Sequence, residues 1–207
     1  MNIIEIIKNE FLKSEVLKLA SQGKFDDAIG CASKIKSMRT EPFMNAVPDE
    51  GMFAYELRLL GFRLFAKKKF EASLQFYLKA DELIDSIKTV DRIIDKQFET
   101  AKNYSDIANC KMALKDLDGA RIALSKSISL LEQMPEPPYL WKGINHQYQM
   151  ITSTWKREAP CFQDDILLDR INKRFVQVEK AIIESLGEAR IVDYWYKWPQ
   201  VPPISLY

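Results

Sequence analysis

Asp164, Asp165 and Asp169 are the residues whose type and spacing come closest to a reaction centre. Carboxylates at that interval fall on one face of a helix and suit magnesium, which takes acidic side chains together with substrate phosphates. The same acids have a structural use. Asp164 and Asp165 open a segment expected to be helical, and negative charge in a first turn favours the helix dipole. A second acidic motif to complete a metal centre is missing from the sequence. His146 is the one histidine, so catalytic arrangements that need a second histidine, and metal signatures rich in histidine, have nothing to draw on. The seven glycines form neither GxGxxG nor a phosphate loop ending in Gly-Lys-Ser/Thr. Cys31, Cys110 and Cys161 are odd in number, widely spaced and without a CxxC, which fits reduced, mostly buried thiols rather than a zinc site or disulfide frame. The expectation is therefore a chain with no catalytic residues, no metal and no cofactor.

The elements that would carry any site are constrained by composition. Hydrophobic residues make up 47% of the 207 residues and charged residues 29%, enough for a real core and unlike a disordered chain. The net charge of +1 gives no basic excess of the kind a nucleic-acid binder shows. Lys67, Lys68 and Lys69 read as a solvated helix end beside a turn. Near the N-terminus, Ile3, Ile4, Ile6, Ile7 and Phe11 are interrupted at helical spacing by Glu5, Lys8, Glu10 and Lys13. That is the pattern of an amphipathic helix packed on its neighbour, not of a signal peptide. No stretch reaches the roughly 20 apolar residues of a membrane span. A cytoplasmic protein is expected, with no membrane or nucleic-acid partner. Asn103-Tyr104-Ser105 matches a glycosylation sequon that has no use in that setting.

Helical periodicity dominates, and no alternating segment of strand length occurs. Breaks fall at Gly23-Lys24, within 38–51 (Pro42, Pro48, Gly51), at Lys115-Asp116, at Pro135 to Pro138 and at Pro160. Helices are expected near 2–21, 25–37, 52–67, 70–87, 89–114, 117–133, 139–157 and 163–186, with a short aromatic one near 188–197. Eight helices joined by tight turns make stacked antiparallel pairs. The division expected is one helical repeat domain, 1–187, and an aromatic, proline-rich tail, 188–207.

The pairs repeat. The second reads Leu57-x-x-Leu60-Gly61-x-x-Leu64, Phe70, then Ser73-x-x-x-Tyr77-x-x-Ala80. The third runs Tyr104-x-x-Ile107-Ala108, Leu117, then Ala120-x-x-x-Leu124-x-x-Ser127. The first keeps Gly23-x-Phe25-x-x-Ala28-x-x-x-Ala32-x-x-Ile35. Small residues at 28, 61, 73, 108 and 120 allow close helix approach. The pattern resembles the tetratricopeptide repeat over residues 10 to 134, with repeats of 45 and 47 residues in place of roughly 34. That resemblance implies an all-α fold of antiparallel helix hairpins, as a short right-handed solenoid or a bundle of about eight helices. It also implies a protein or peptide partner held in a concave groove lined by the first helix of each pair. Tyr55, Arg58, Phe62 and Phe65 from the second pair, with Lys102, Ser105, Asn109 and Met112 from the third, are the expected groove residues. Arg58, Lys102 and Asn109 would donate hydrogen bonds, and Phe62 and Phe65 would form apolar pockets. An adaptor or regulatory protein follows, with a bacterial regulator, secretion chaperone or toxin-neutralising (immunity-type) protein as the alternative. The Asp164/Asp165/Asp169 set is similar to the aspartate-rich motif of prenyl-diphosphate enzymes. It keeps a more remote reading open, an all-α magnesium-dependent diphosphate-handling enzyme. The tail Tyr194-Trp195-Tyr196-Lys197-Trp198 fits a cap on the last helices, or a partner contact such as a homodimer interface.

Overall fold

Acids gather where helices must begin: Asp26 and Asp27, Glu71, Glu99 and Asp118 each stand in a first turn, beside the positive end of the helix dipole. In the computed structural model, which describes residues 3–36, 49–86 and 96–133 together with residues 166, 169, 170, 173, 176, 177, 180 and 184, these starts open an all-helical fold. Six helices are delimited among the described residues: α1 (Ile3–Ser21), α2 (Phe25–Ala32), α3 (Asp49–Ala66), α4 (Phe70–Ser86), α5 (Lys96–Ala113) and α6 (Leu117–Gln133). No strand occurs among the described residues. Their described bounds follow the expected helices closely except at two ends. α2 stops at Ala32, where the Ser33 hydroxyl donates to the Gly30 carbonyl and competes with continued helix. α3 starts at Asp49, and Gly51, expected to break the helix, is buried inside its first turn. Its place in the first turn, rather than the helix interior, limits the ~1 kcal/mol helix penalty of glycine. α5 is described from Lys96, and its expected start near residue 89 falls within 87–95, which lie outside the described set. So do the expected helix at 139–157, most of that at 163–186, and the tail.

Three hairpins, α1/α2, α3/α4 and α5/α6, turn in one way. Gly23 (φ 77°), Lys68 (φ 58°) and Lys115 (φ 67°) each adopt the left-handed conformation just past a helix end. The next amide reaches back five residues: Lys24 to Leu19, Lys69 to Leu64 and Asp116 to Lys111, at 3.1, 2.9 and 2.9 Å. This is the 6→1 bond of a Schellman cap, which satisfies an orphan carbonyl. The three turn residues are 45 and 47 residues apart, the intervals read from the small-residue pattern.

The core follows from that pattern. Ala28, Ser73 and Ala120, five residues beyond each turn residue, are fully buried. The Ser73 hydroxyl donates to the Gly61 carbonyl at 2.7 Å, which draws α4 against α3. A continuous cluster joins Val16, Ala20, Ala28 and Ala32 to Leu57, Leu60, Leu64, Ala72, Phe76 and Ala80. Asn9 closes the first hairpin, donating to the Lys36 carbonyl at 2.6 Å and accepting from its amide at 3.2 Å. Asn103 of the sequon is buried and donates to the Tyr77 carbonyl at 2.9 Å. α1 departs from a simple amphipathic helix. Asn9, Val16 and Ala20 face inward, while Ile3, Ile4, Ile7 and Phe11 are exposed. The chain forms two compact units, Met1–Ser127 and Ile128–Tyr207. In the second, Arg170 engages Glu132 and Ser129.

Candidate protein-binding surface

α3 is apolar on both sides. Leu57, Leu60 and Leu64 are 0–1% exposed and fill the core with Gly61. On the opposite side stand Tyr55 at 44%, Leu59 at 39% and Phe62 at 46% exposed, continued by exposed Ala66. Steps of four, three and four place these side chains in one stripe along the helix. Single exposed apolar residues are ordinary, but a contiguous row is not.

The flanks are polar and charge-balanced. Toward α5, the Arg58 guanidinium meets Glu99 at 2.9 Å and Asp106 at 2.8 Å. Burial disfavours its charge, yet Asp106 and then Glu99 outweigh that and hold it more firmly protonated than usual. Lys102 pairs with the same Glu99 at 3.0 Å and lies over the Phe98 ring. Toward α1, the Glu56 carboxylate is buried, with one oxygen lacking a hydrogen-bond partner. Burial pushes its pKa up, and Lys13 and Arg63 draw it partly back.

Behind the stripe lies a buried polar chain. The Cys110 thiol donates to the Ser73 hydroxyl at 3.3 Å, and that hydroxyl donates to Gly61. Burial raises the pKa of both Cys110 (to about 12) and Tyr77, so neither is a nucleophile at neutral pH. Beside the chain, a second polar cluster links Tyr104 to Asp81 at 2.7 Å, and Lys126 bonds the same hydroxyl. Both groups tie helices together.

The expected groove residues thus divide. Tyr55 and Phe62 stand exposed together. Lys102 and Asn109 are half-buried. Arg58 is not a free donor, because two carboxylates already hold it. Phe65 turns toward the hairpin end and packs on Phe70 with ring centroids 5.1 Å apart. Ser105 and Met112 are buried, at 4% and 5% exposed, on the side of α5 that packs inward. Leu59 and Ala66 complete the stripe and were missing from the expected set. The four-three-four spacing through Tyr55 and Phe62 was the signal for them.

Among the described residues no three metal-ligating side chains cluster. Asp169 is exposed and pairs with Lys173 at 2.6 Å. Asp164, Asp165, His146, Cys161 and Tyr194 to Trp198 lie outside the described residues. No described helix is long and apolar enough to cross a membrane. A separate cleft of about 310 Å³ sits among the hairpin turns, lined by Phe25, Phe70 and Leu114 together with Lys68, Lys69 and Glu71. No family model matches the chain, and no curated protein or solved structure does either.

Proposed function

We propose that this chain is a non-catalytic adaptor or regulatory protein of the tetratricopeptide-like kind, and that α3 receives a protein or peptide partner along Tyr55, Leu59 and Phe62. The observation that carries this reading is the exposed apolar stripe on a helix whose other face is fully committed to the core. Its flanks support the same reading. Arg58, Glu99, Lys102 and Asp106 neutralise one another, so the surface offers apolar contact rather than attraction for a strongly charged ligand. The threefold recurrence of one hairpin turn supports the repeat relationship. An extended or helical segment with apolar side chains every three or four residues is the ligand that fits.

The test is capture of partners by the immobilised full chain, comparing wild type with Leu59→Ser/Phe62→Ser. Both positions are exposed, so the variant keeps its circular dichroism and melting temperature. Loss of a hot-spot pair weakens binding by about 2 kcal/mol or more, roughly 30-fold. Ile122→Ser, at a site on α6 that is 71% exposed, serves as the control and leaves binding unchanged. A folded double variant that binds as tightly as wild type refutes the assignment to α3.

A further inference from the structure

The outer side of α1 is a second apolar surface, distinct from the α3 stripe. Ile3, Ile4, Ile7 and Phe11 are 73, 71, 65 and 71% exposed, and Ile6 beside them is 39% exposed. Ile4, Ile7 and Phe11 are spaced three and four apart, so they form one row over the first turns of the helix. The inward row, Asn9, Val16 and Ala20, lies on the other side. A contiguous apolar row of this kind is unusual on a free surface.

Its charges identify the occupant. Glu5, Lys8, Glu10, Lys13, Glu15 and Lys18 alternate in sign along the helix. Glu10 pairs with Lys13 at 3.1 Å, Glu15 with Lys18 at 3.5 Å and Glu5 with Lys36 at 3.2 Å. An anionic lipid surface calls for a basic polar face, which is absent here. A strongly acidic or basic partner meets a balanced rim and gains nothing from it. A copy of the same surface meets its own apolar row with no net repulsion. Area agrees. The exposed isoleucines and phenylalanine present on the order of 500 Å², at the upper end of what a monomer usually leaves uncovered. With Lys8, Ser14 and Lys18 at the rim, the face approaches the roughly 800 Å² per partner of a standard interface.

We infer that α1 is a homodimer interface, in which the outer faces of α1 from two copies of this chain pack against each other. Ile7 lies midway between Ile4 and Phe11, so an antiparallel pairing sets each Phe11 over the partner's Ile4, with Ile7 near the two-fold axis. The contact is isologous, the same surface serving both copies, and it leaves the α3 stripe free.

Sedimentation velocity of the full chain between about 1 and 100 μM tests this, a range that brackets the micromolar affinity of a small interface. Wild type passes from monomer to dimer across the range. Ile4→Asp/Phe11→Asp stays monomeric at the highest concentration with unchanged helicity, and Ile122→Asp dimerises like wild type. Leu59→Ser/Phe62→Ser also dimerises like wild type, so failure of the α3 reading and failure of this one are told apart. A wild type that is monomeric throughout overturns the inference, as does a dimer that survives Ile4→Asp/Phe11→Asp. A monomer whose α1 binds neutral phosphatidylcholine vesicles would assign the face to a lipid surface and overturn it equally.

Discussion

Gly61→Leu is the substitution whose outcome the packing fixes most closely. A β-carbon built at Gly61 would lie 3.1 Å from Tyr77 Cε1 and 3.2 Å from Cζ. Those distances are a few tenths of an ångström inside ordinary carbon contact. Tyr77 is only 3% exposed, and the Ser73 hydroxyl holds the Gly61 carbonyl at 2.7 Å, so neither ring nor helix has room to retreat freely. Alanine at 61 would gain about 1 kcal/mol of helix propensity. A shift of the Tyr77 ring offsets most of it, and Gly61→Ala is expected to sit within about 0.5 kcal/mol of wild type, the scale of an ordinary neutral change. Leucine adds three further carbons against the same ring and costs about 2–3 kcal/mol by overpacking. At 2–4 °C per kcal/mol for a chain of this size, the melting temperature falls by roughly 4–12 °C. Thermal unfolding followed by circular dichroism reads this directly. A double-mutant cycle sharpens it: in a Tyr77→Leu background, Gly61→Ala becomes stabilising because nothing opposes the propensity gain. An unchanged melting temperature for Gly61→Leu, or no coupling between positions 61 and 77, would refute the close approach of α3 and α4 at this point.

Other outcomes follow from the same contacts. Arg58→Met removes two charge-assisted bonds, but Glu99 and Asp106 are 29% and 31% exposed and recover hydration; the net loss in urea unfolding is about 2 kcal/mol, and a variant as stable as wild type would show that the ion pairs contribute nothing. Lys68→Gly and Lys115→Gly should each stabilise by about 1 kcal/mol, because glycine removes the left-handed penalty that Gly23 already avoids; lower melting temperatures would contradict the turn geometry. For Glu56 the folded-state pKa is raised by burial above its ordinary value of 4.5, so the stability present below that pH is lost as pH rises through the folded pKa. Glu56→Gln is therefore more heat-stable than wild type at pH 7, and the advantage disappears below about pH 4.5; an advantage that persists in acid would place its cause elsewhere.

The hairpins were legible because they depend on local chemistry. Gly23 and the first-turn acids act within a few positions of where they stand, and Gly61 and Ser73 act across a single turn. The direction each face of α3 points was harder. With leucines and aromatics on both sides, periodicity finds two apolar rows and does not rank them, so Tyr55 and Phe62 were placed while Leu59 was passed over. The ion pairs of Arg58 were hidden for a different reason. Its partners Glu99 and Asp106 lie 41 and 48 residues away, and nothing beside Arg58 in sequence signals them. The burial of Ser105 and Met112 was hidden in a similar way, since burial on α5 depends on which neighbours reach it.

The shared hairpin turn also bears on how the chain comes to be folded. Each closing bond spans five residues, a loop short enough to form on the submicrosecond scale. Any of the three hairpins can therefore start first, and none waits on another. Arg58 cannot meet Glu99 and Asp106 until α3 and α5 both exist, so the clamp is expected to form late. Removing it should then accelerate unfolding while leaving the refolding rate almost untouched. The expected consequence is kinetic: the ion pairs between hairpins would set how long the assembled structure lasts rather than how quickly it appears.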